Sequence, residues 1–207
     1  MRYKPMLFHK LNNKSQGRAR EVIGLVGTHH GVGVTHTGLM LAFYMGEELG
    51  RKTALLECNH QHDMMLIQNA YEWEGEEENT FTYHLVTCFK DVKPEQITGI
   101  FAKEYDCIIM DFGEDYSKNR DEFLRCTIKI VVGGRSEWDL YKLLHFIRAT
   151  EADQANHWWF LIPQATDKRV MKISKELKRR VWAVPNVEEP ILPTPTAHYL
   201  FRRLLRS

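Results

Sequence analysis

A short apolar run, Val22-Ile23-Gly24-Leu25-Val26, stops in a glycine-rich turn from Gly27 to Gly33, and a helical stretch follows from Val34 to about Leu49. Strand, glycine loop and helix start in that order form an anion site. Backbone N–H groups converge there and the helix dipole adds partial positive charge. Gly31 and Gly33 let the backbone approach a ligand closely. Thr35 adds a hydroxyl suited to Mg²⁺.

The rest of the chain repeats a strand–helix rhythm. Thr53 to Leu56, Cys107 to Met110 (ending at Asp111), Ile128 to Val132, Trp158 to Ile162 and Val181 to Val184 read as short buried strands. Pro94 to Lys103, Glu137 to Thr150 and Asp167 to Arg180 read as helices. Ser136 is an N-cap, with Asp139 three residues on completing a capping box. Gly50 stops the first helix. Thr80 to Val86 alternates, as a strand with one wet face does, and a hairpin fits there. Alternation of this kind predicts a doubly wound, mainly parallel α/β sheet with helices on both faces. Ligands of such sheets sit at the carboxyl ends of the strands. With 207 residues the chain holds one domain over residues 21–207, after a basic lead-in over residues 1–20.

The loop residues also carry a resemblance. Gly31-Val32-Gly33-Val34-Thr35 resembles the G-V-G-K-T core of the deviant Walker A loop of ParA/MinD-type P-loop ATPases, K-G-G-V-G-K-[ST]. Leu55-Leu56-Glu57-Cys58-Asn59-His60-Gln61 resembles the family's switch segment, a strand followed by D-x-D-P-Q. Tyr105 to Asp111 resembles the Walker B strand. The resemblance spans about residues 22 to 185. It implies a P-loop fold and a nucleotide held by Thr28, His29, His30, Gly31, Val32, Gly33, Val34, Thr35, His36, Glu57, Asn59 and Asp111. It further implies Mg²⁺ at Thr35 and Asp111, and a homodimer.

The departures are chemical. Val34 stands where the phosphate-binding lysine belongs, His29 where the signature lysine belongs, and His30 replaces a glycine. Asn59 replaces a carboxylate, and Ile162-Pro163-Gln164 replaces the base-reading asparagine. Phosphoryl transfer depends on charge stabilisation, so losing a cation that touches the phosphates costs several kcal/mol. The expectation is a degenerate member, with ATP or ADP and Mg²⁺ as ligand and little or no hydrolysis, serving localisation, assembly or regulation. The pilus-assembly proteins TadZ and CpaE resemble this pattern. Two other readings stand. One is an active partitioning or positioning ATPase that borrows a cation, from His29 or Arg135. The other is a metal-binding regulatory domain built from His29, His30, His36, His60, His62, Cys58 and Asp63, although no ligand spacing marks it. As polar loop residues these histidines need no ligand at all.

Composition narrows the partners. Net charge is +1, which gives no case for nucleic acid. Four cysteines without a C-x-x-C pair fit a reduced, cytoplasmic setting. No apolar stretch reaches the roughly 20 residues of a spanning helix. Residues 196–206 form a short basic amphipathic helix with Leu200, Phe201, Leu204 and Leu205 on one face. It either docks on the domain or makes peripheral membrane contact. Met64 and Met65 are core or a partner-facing patch, Trp158 and Trp159 are core, and the glutamates from Glu72 to Glu78 read as a solvated loop. A protein partner or a second copy is expected.

Overall fold

The structure, a computed structural model, describes residues 19–74, 79–153, 158–192 and 194–205. Most of the basic lead-in and the central glutamates of the acidic loop lie outside those residues.

The described chain runs β1 Glu21–Gly27, α1 Val34–Phe43, β2 Thr53–Glu57, α2 Asp63–Ala70, β3 Thr80–Tyr83, β4 Val86–Phe89, α3 Pro94–Phe101, β5 Cys107–Asp111, α4 Arg120–Arg125, β6 Ile128–Val132, α5 Glu137–Ala149, β7 Trp158–Pro163, α6 Asp167–Leu177, β8 Val181–Val184 and α7 Pro195–Leu204. One sheet has the order β3-β4-β2-β5-β1-β6-β7-β8. Every pairing is parallel except β3 with β4. This is the expected doubly wound fold. Strand residues alternate between two apolar layers. Cys107 and Ile109 of β5 pack with α1 and α7 on one face, while Ile108 and Met110 pack with the α3–α6 side on the other. Both faces of the central strands are therefore buried, which explains their unbroken apolar runs.

Local departures have local causes. The alternating stretch from Thr80 is a hairpin, because His84 takes a left-handed φ of 52° and turns the chain. Helix α1 changes at Tyr44 into a π turn over Tyr44–Glu48, where the N–H of Leu49 donates to the Tyr44 carbonyl at 3.3 Å. Gly46 lies in that turn, where a Cβ would sit 2.8 Å from a Val86 methyl. Helix α6 stops early because Lys178 adopts φ 51°. Helices α2 and α4 have no counterpart in the sequence reading. Met64 is fully buried at the start of α2 and Met65 is half exposed, so the pair splits between core and surface.

Helix α7 docks on the domain. Ala197, Leu200, Phe201 and Leu204 are buried, and the Phe201 ring lies 5.6 Å from that of Tyr44 in the π turn. Glu48 receives both His198, at 3.4 Å, and Arg202, at 3.3 Å. The apolar face that a membrane would take up is thus covered by the core. No helix among the described residues is long and apolar enough to cross a membrane.

Candidate functional site

Strand β1 lies between β5 and β6, so its carboxyl end opens between the loops that follow those strands. Gly27 admits no side chain there, since a Cβ would sit 2.8 Å from a Val34 methyl and 2.9 Å from a Val32 methyl. The loop base is tied on both sides. Gly27 N–H donates to the Gly113 carbonyl at 2.7 Å and Thr28 N–H to the Val132 carbonyl at 3.0 Å. Gly31 at φ 78° and Gly33 at φ 90° then turn the chain into α1 through the left-handed region. Thr37 closes the first helical turn, its N–H and hydroxyl both donating to the Gly33 carbonyl. Among the described residues, no backbone carbonyl accepts from the N–H groups of residues 29 to 36. A run of uncommitted donors at a helix start is what an anion cradle of the kind the glycines imply requires.

Two cavities flank the arch and share His29, Gly31, Val32, Gly33 and His36. One, of about 690 Å³, opens toward the loops after β2 and β5. The other, of about 420 Å³, opens toward Arg135, Gln164 and the segment after β8. Beneath the larger one, behind its lining residue Thr35, Asp111 lies fully buried at the end of β5. Its carboxylate accepts from the Thr35 hydroxyl at 2.7 Å and from Gly113 N–H at 2.9 Å. Burial pushes the Asp111 carboxyl up to about 6, against the pull of those two hydrogen bonds. A buried carboxylate beside a hydroxyl is the hard-oxygen pair that Mg²⁺ takes, with water and phosphate oxygens filling its remaining positions. The donor set therefore fits the metal.

The other expected residues serve different ends. Asn59 donates to the Asp111 carbonyl at 3.2 Å and accepts from Gln61 N–H at 2.9 Å, so it braces the switch loop against β5. Glu57 does not line either cavity. Buried beneath the loop, it accepts from Met64 N–H and Asp91 N–H, each at 3.1 Å, and joins α2 to the end of β4.

Both loop positions that would carry lysines hold no cation. Val34 is buried, at 7% exposure, against the loop base. His29 contacts Asp139 through Nε2 at 3.0 Å and Thr28 through Nδ1 at 3.0 Å. Burial and then the Lys142 charge hold His29 below its ordinary pKa, outweighing the attraction of Asp139. For Asp139 the balance runs the other way. Burial pushes it up, but the Ser136 hydroxyl and amide, Lys142 and His29 together bring it below the usual carboxylate range. The pair is thus a neutral imidazole on a carboxylate. His36 is also lowered by burial and is held by the Val187 carbonyl. Arg135 donates to the Gln164 side chain at 2.8 Å across the smaller cavity.

The histidines do not gather. His30 lies by Gln61 and Glu114, and His60 by Lys118 and Asp91. Cys58 is half-buried, and desolvation pushes its thiol well up, which disfavours the thiolate a metal needs. Among the described residues no three His, Cys, Asp or Glu side chains form a metal-holding group.

Sequence reading missed Asp139 as the partner of His29, although its capping role was legible. It also missed Gly113, and Lys118, whose ammonium lies 2.6 Å from His60 Nε2. No motif marks any of these contacts, which join segments far apart in the chain.

Comparison with known proteins places the fold. No family profile matches the sequence, and no curated protein sequence does. Solved structures do match. A chain of the MinC:MinD cell division protein complex of Aquifex aeolicus superposes with a TM-score of 0.68 at 14% identity, over 90% of this chain and 96% of that one. A plasmid partition protein from Borrelia burgdorferi gives 0.62 at 13% identity, over 89% and 98%. The septum site-determining protein MinD of Pyrococcus horikoshii, complexed with Mg-ADP, gives 0.59 at 14% identity, over 90% and 94%. The fold is that of the ParA/MinD-type P-loop ATPases.

Proposed function

We propose that this chain is a nucleotide-holding localisation or assembly factor, a ParA/MinD-like protein that binds ATP or ADP with Mg²⁺ and hydrolyses ATP weakly or not at all. One observation carries the reading: the anion cradle is intact while both of its cation positions are silent, Val34 being packed against the loop and His29 being neutral and bound to Asp139. The backbone donors of residues 29 to 36 hold phosphate oxygens, and Thr35 with Asp111 holds the metal. The metal neutralises phosphate charge when bound. Binding needs no more than this, whereas turnover needs positive charge at the oxygens where negative charge grows.

The Mg-ADP complex of the Pyrococcus relative and the MinC complex of the Aquifex relative favour a nucleotide and a protein partner for this chain too. A homodimer with the two cavities facing inward is the arrangement we expect, and light scattering with and without Mg-ATP measures it. The test of the function is steady-state ATP turnover beside Thr35→Ala and Asp111→Ala. The expected rates are indistinguishable; turnover that either substitution abolishes would mean an active ATPase. A turnover reading finds its cation in neither His29 nor Arg135, both of which are engaged, so any charge brought to the phosphates has to come from another loop.

A further inference from the structure

The larger cavity is poor in positive charge. Asp63, Glu114 and Asp115 line it, Asp111 lies buried behind its lining residue Thr35, and its histidines are shared with other partners. Among the described residues Lys118 is its single lysine or arginine. We propose that Lys118, from a different loop, is a phosphate-binding contact of this site that holds bound nucleotide without returning to the arch the cation that position 34 lacks. The inference rests on the nucleotide reading above and adds a residue and a selectivity to it.

Three features support it. The turn that carries Lys118 is fixed, its N–H donating to Asp115 Oδ1 at 3.0 Å and Asn119 donating to the Asp115 carbonyl at 3.0 Å. The side chain itself is exposed, and its ammonium touches His60 Nε2 rather than a carboxylate. A phosphate oxygen is a stronger acceptor for an ammonium than an imidazole nitrogen, so a bound phosphate would take the contact over. Finally, the position is directional. Lys118 sits on the side of the arch that holds Thr35 and Asp111, between the loops after β2 and β5. Arg135 sits on the opposite side, in the smaller cavity. Lys118 therefore meets the terminal phosphate, next to the metal site, and moving from His60 to that phosphate reports its presence to the β2–α2 loop.

Calorimetric titration of Mg-ATP and Mg-ADP into wild type, Lys118→Gln, Lys118→Arg and Arg135→Gln tests this. The expected result is that Lys118→Gln weakens Mg-ATP about tenfold and Mg-ADP much less, that Lys118→Arg restores most of the loss, and that Arg135→Gln does not discriminate between the two nucleotides. Because Lys118 is exposed, the fold tolerates the change, and circular dichroism verifies that. Wild type that binds Mg-ATP with Lys118→Gln binding it equally well would overturn this inference alone. Wild type that binds neither nucleotide would overturn the nucleotide reading, and this inference with it.

Discussion

The floor and the rim of the larger cavity are built by opposite rules. At and beneath the floor, Thr35, Asp111 and Glu57 stand in the first turn of a helix or at strand ends. The two carboxylates are buried, and each accepts two named hydrogen bonds. On the rim, His30, Gln61, Glu114, His60 and Lys118 come from loops and meet one another mostly in the open. A buried, doubly bonded carboxylate is hard to change without loss, because each orphaned donor costs its desolvation. An exposed loop side chain is easy to change. The oxygen set suited to Mg²⁺ lies on the floor, and the altered cation positions lie at the loop and rim. On the proposed reading, metal and phosphate placement and cation supply are separable parts of the site.

The largest expected effect is beneath the floor. Glu57→Ala leaves the N–H groups of Met64 and Asp91 without an acceptor and lowers unfolding free energy by about 4 kcal/mol. Urea denaturation measures it, and a loss below about 1 kcal/mol would erase the distinction drawn here.

Next comes the pH dependence of Asp111. Its folded pKa of about 6 lies above the 3.8 of an ordinary aspartate. Below the lower value both states are protonated. Between the two the folded state holds the proton better, so the carboxyl favours folding at acid pH and that advantage disappears as pH rises through about 6. The difference is about 3 kcal/mol at 1.36 kcal/mol per unit. Asp111→Asn flattens this part of the stability–pH curve, and Mg²⁺ with nucleotide stabilises wild type most above pH 6.

On the rim side, His29→Lys with Val34→Lys returns positive charge to the arch and tightens Mg-ATP binding by about tenfold, or about 1.4 kcal/mol. An unchanged dissociation constant would mean the arch does not meet phosphate. His29 alone gives a smaller effect of opposite sign to Asp111. Its lowered pKa means the unfolded chain takes the proton first, so stability falls as pH drops through the window just below 6.5. His29→Gln removes that slope. Smallest of all, Glu114→Gln stays within about 0.5 kcal/mol of wild type.

The same contrast explains what the sequence made legible. Strand positions, the glycine loop, the Ser136 cap and the Thr35–Asp111 pair follow from local periodicity and from motif order. Those features are set by residues near in sequence or by strand ends that the fold aligns. Helix α4 spans only Arg120–Arg125, too short for a helical period to declare itself. The π turn follows from packing around Gly46 and Tyr44, which no local pattern encodes. Glu57 reads as a site acid by position, yet the fold turns it beneath the loop to hold α2. The His29–Asp139 and Lys118–His60 contacts join residues far apart in the chain, and only the folded sheet brings them together.

The central claim is that the site holds Mg-ATP without cleaving it. A single-turnover experiment, with protein in excess over labelled Mg-ATP and both bound label and product read over an hour, tests it directly. The expected result is bound label recovered as intact ATP, with conversion no faster than in Asp111→Ala. Label recovered as ADP at a rate that Asp111→Ala abolishes, or no label retained at all, would contradict it.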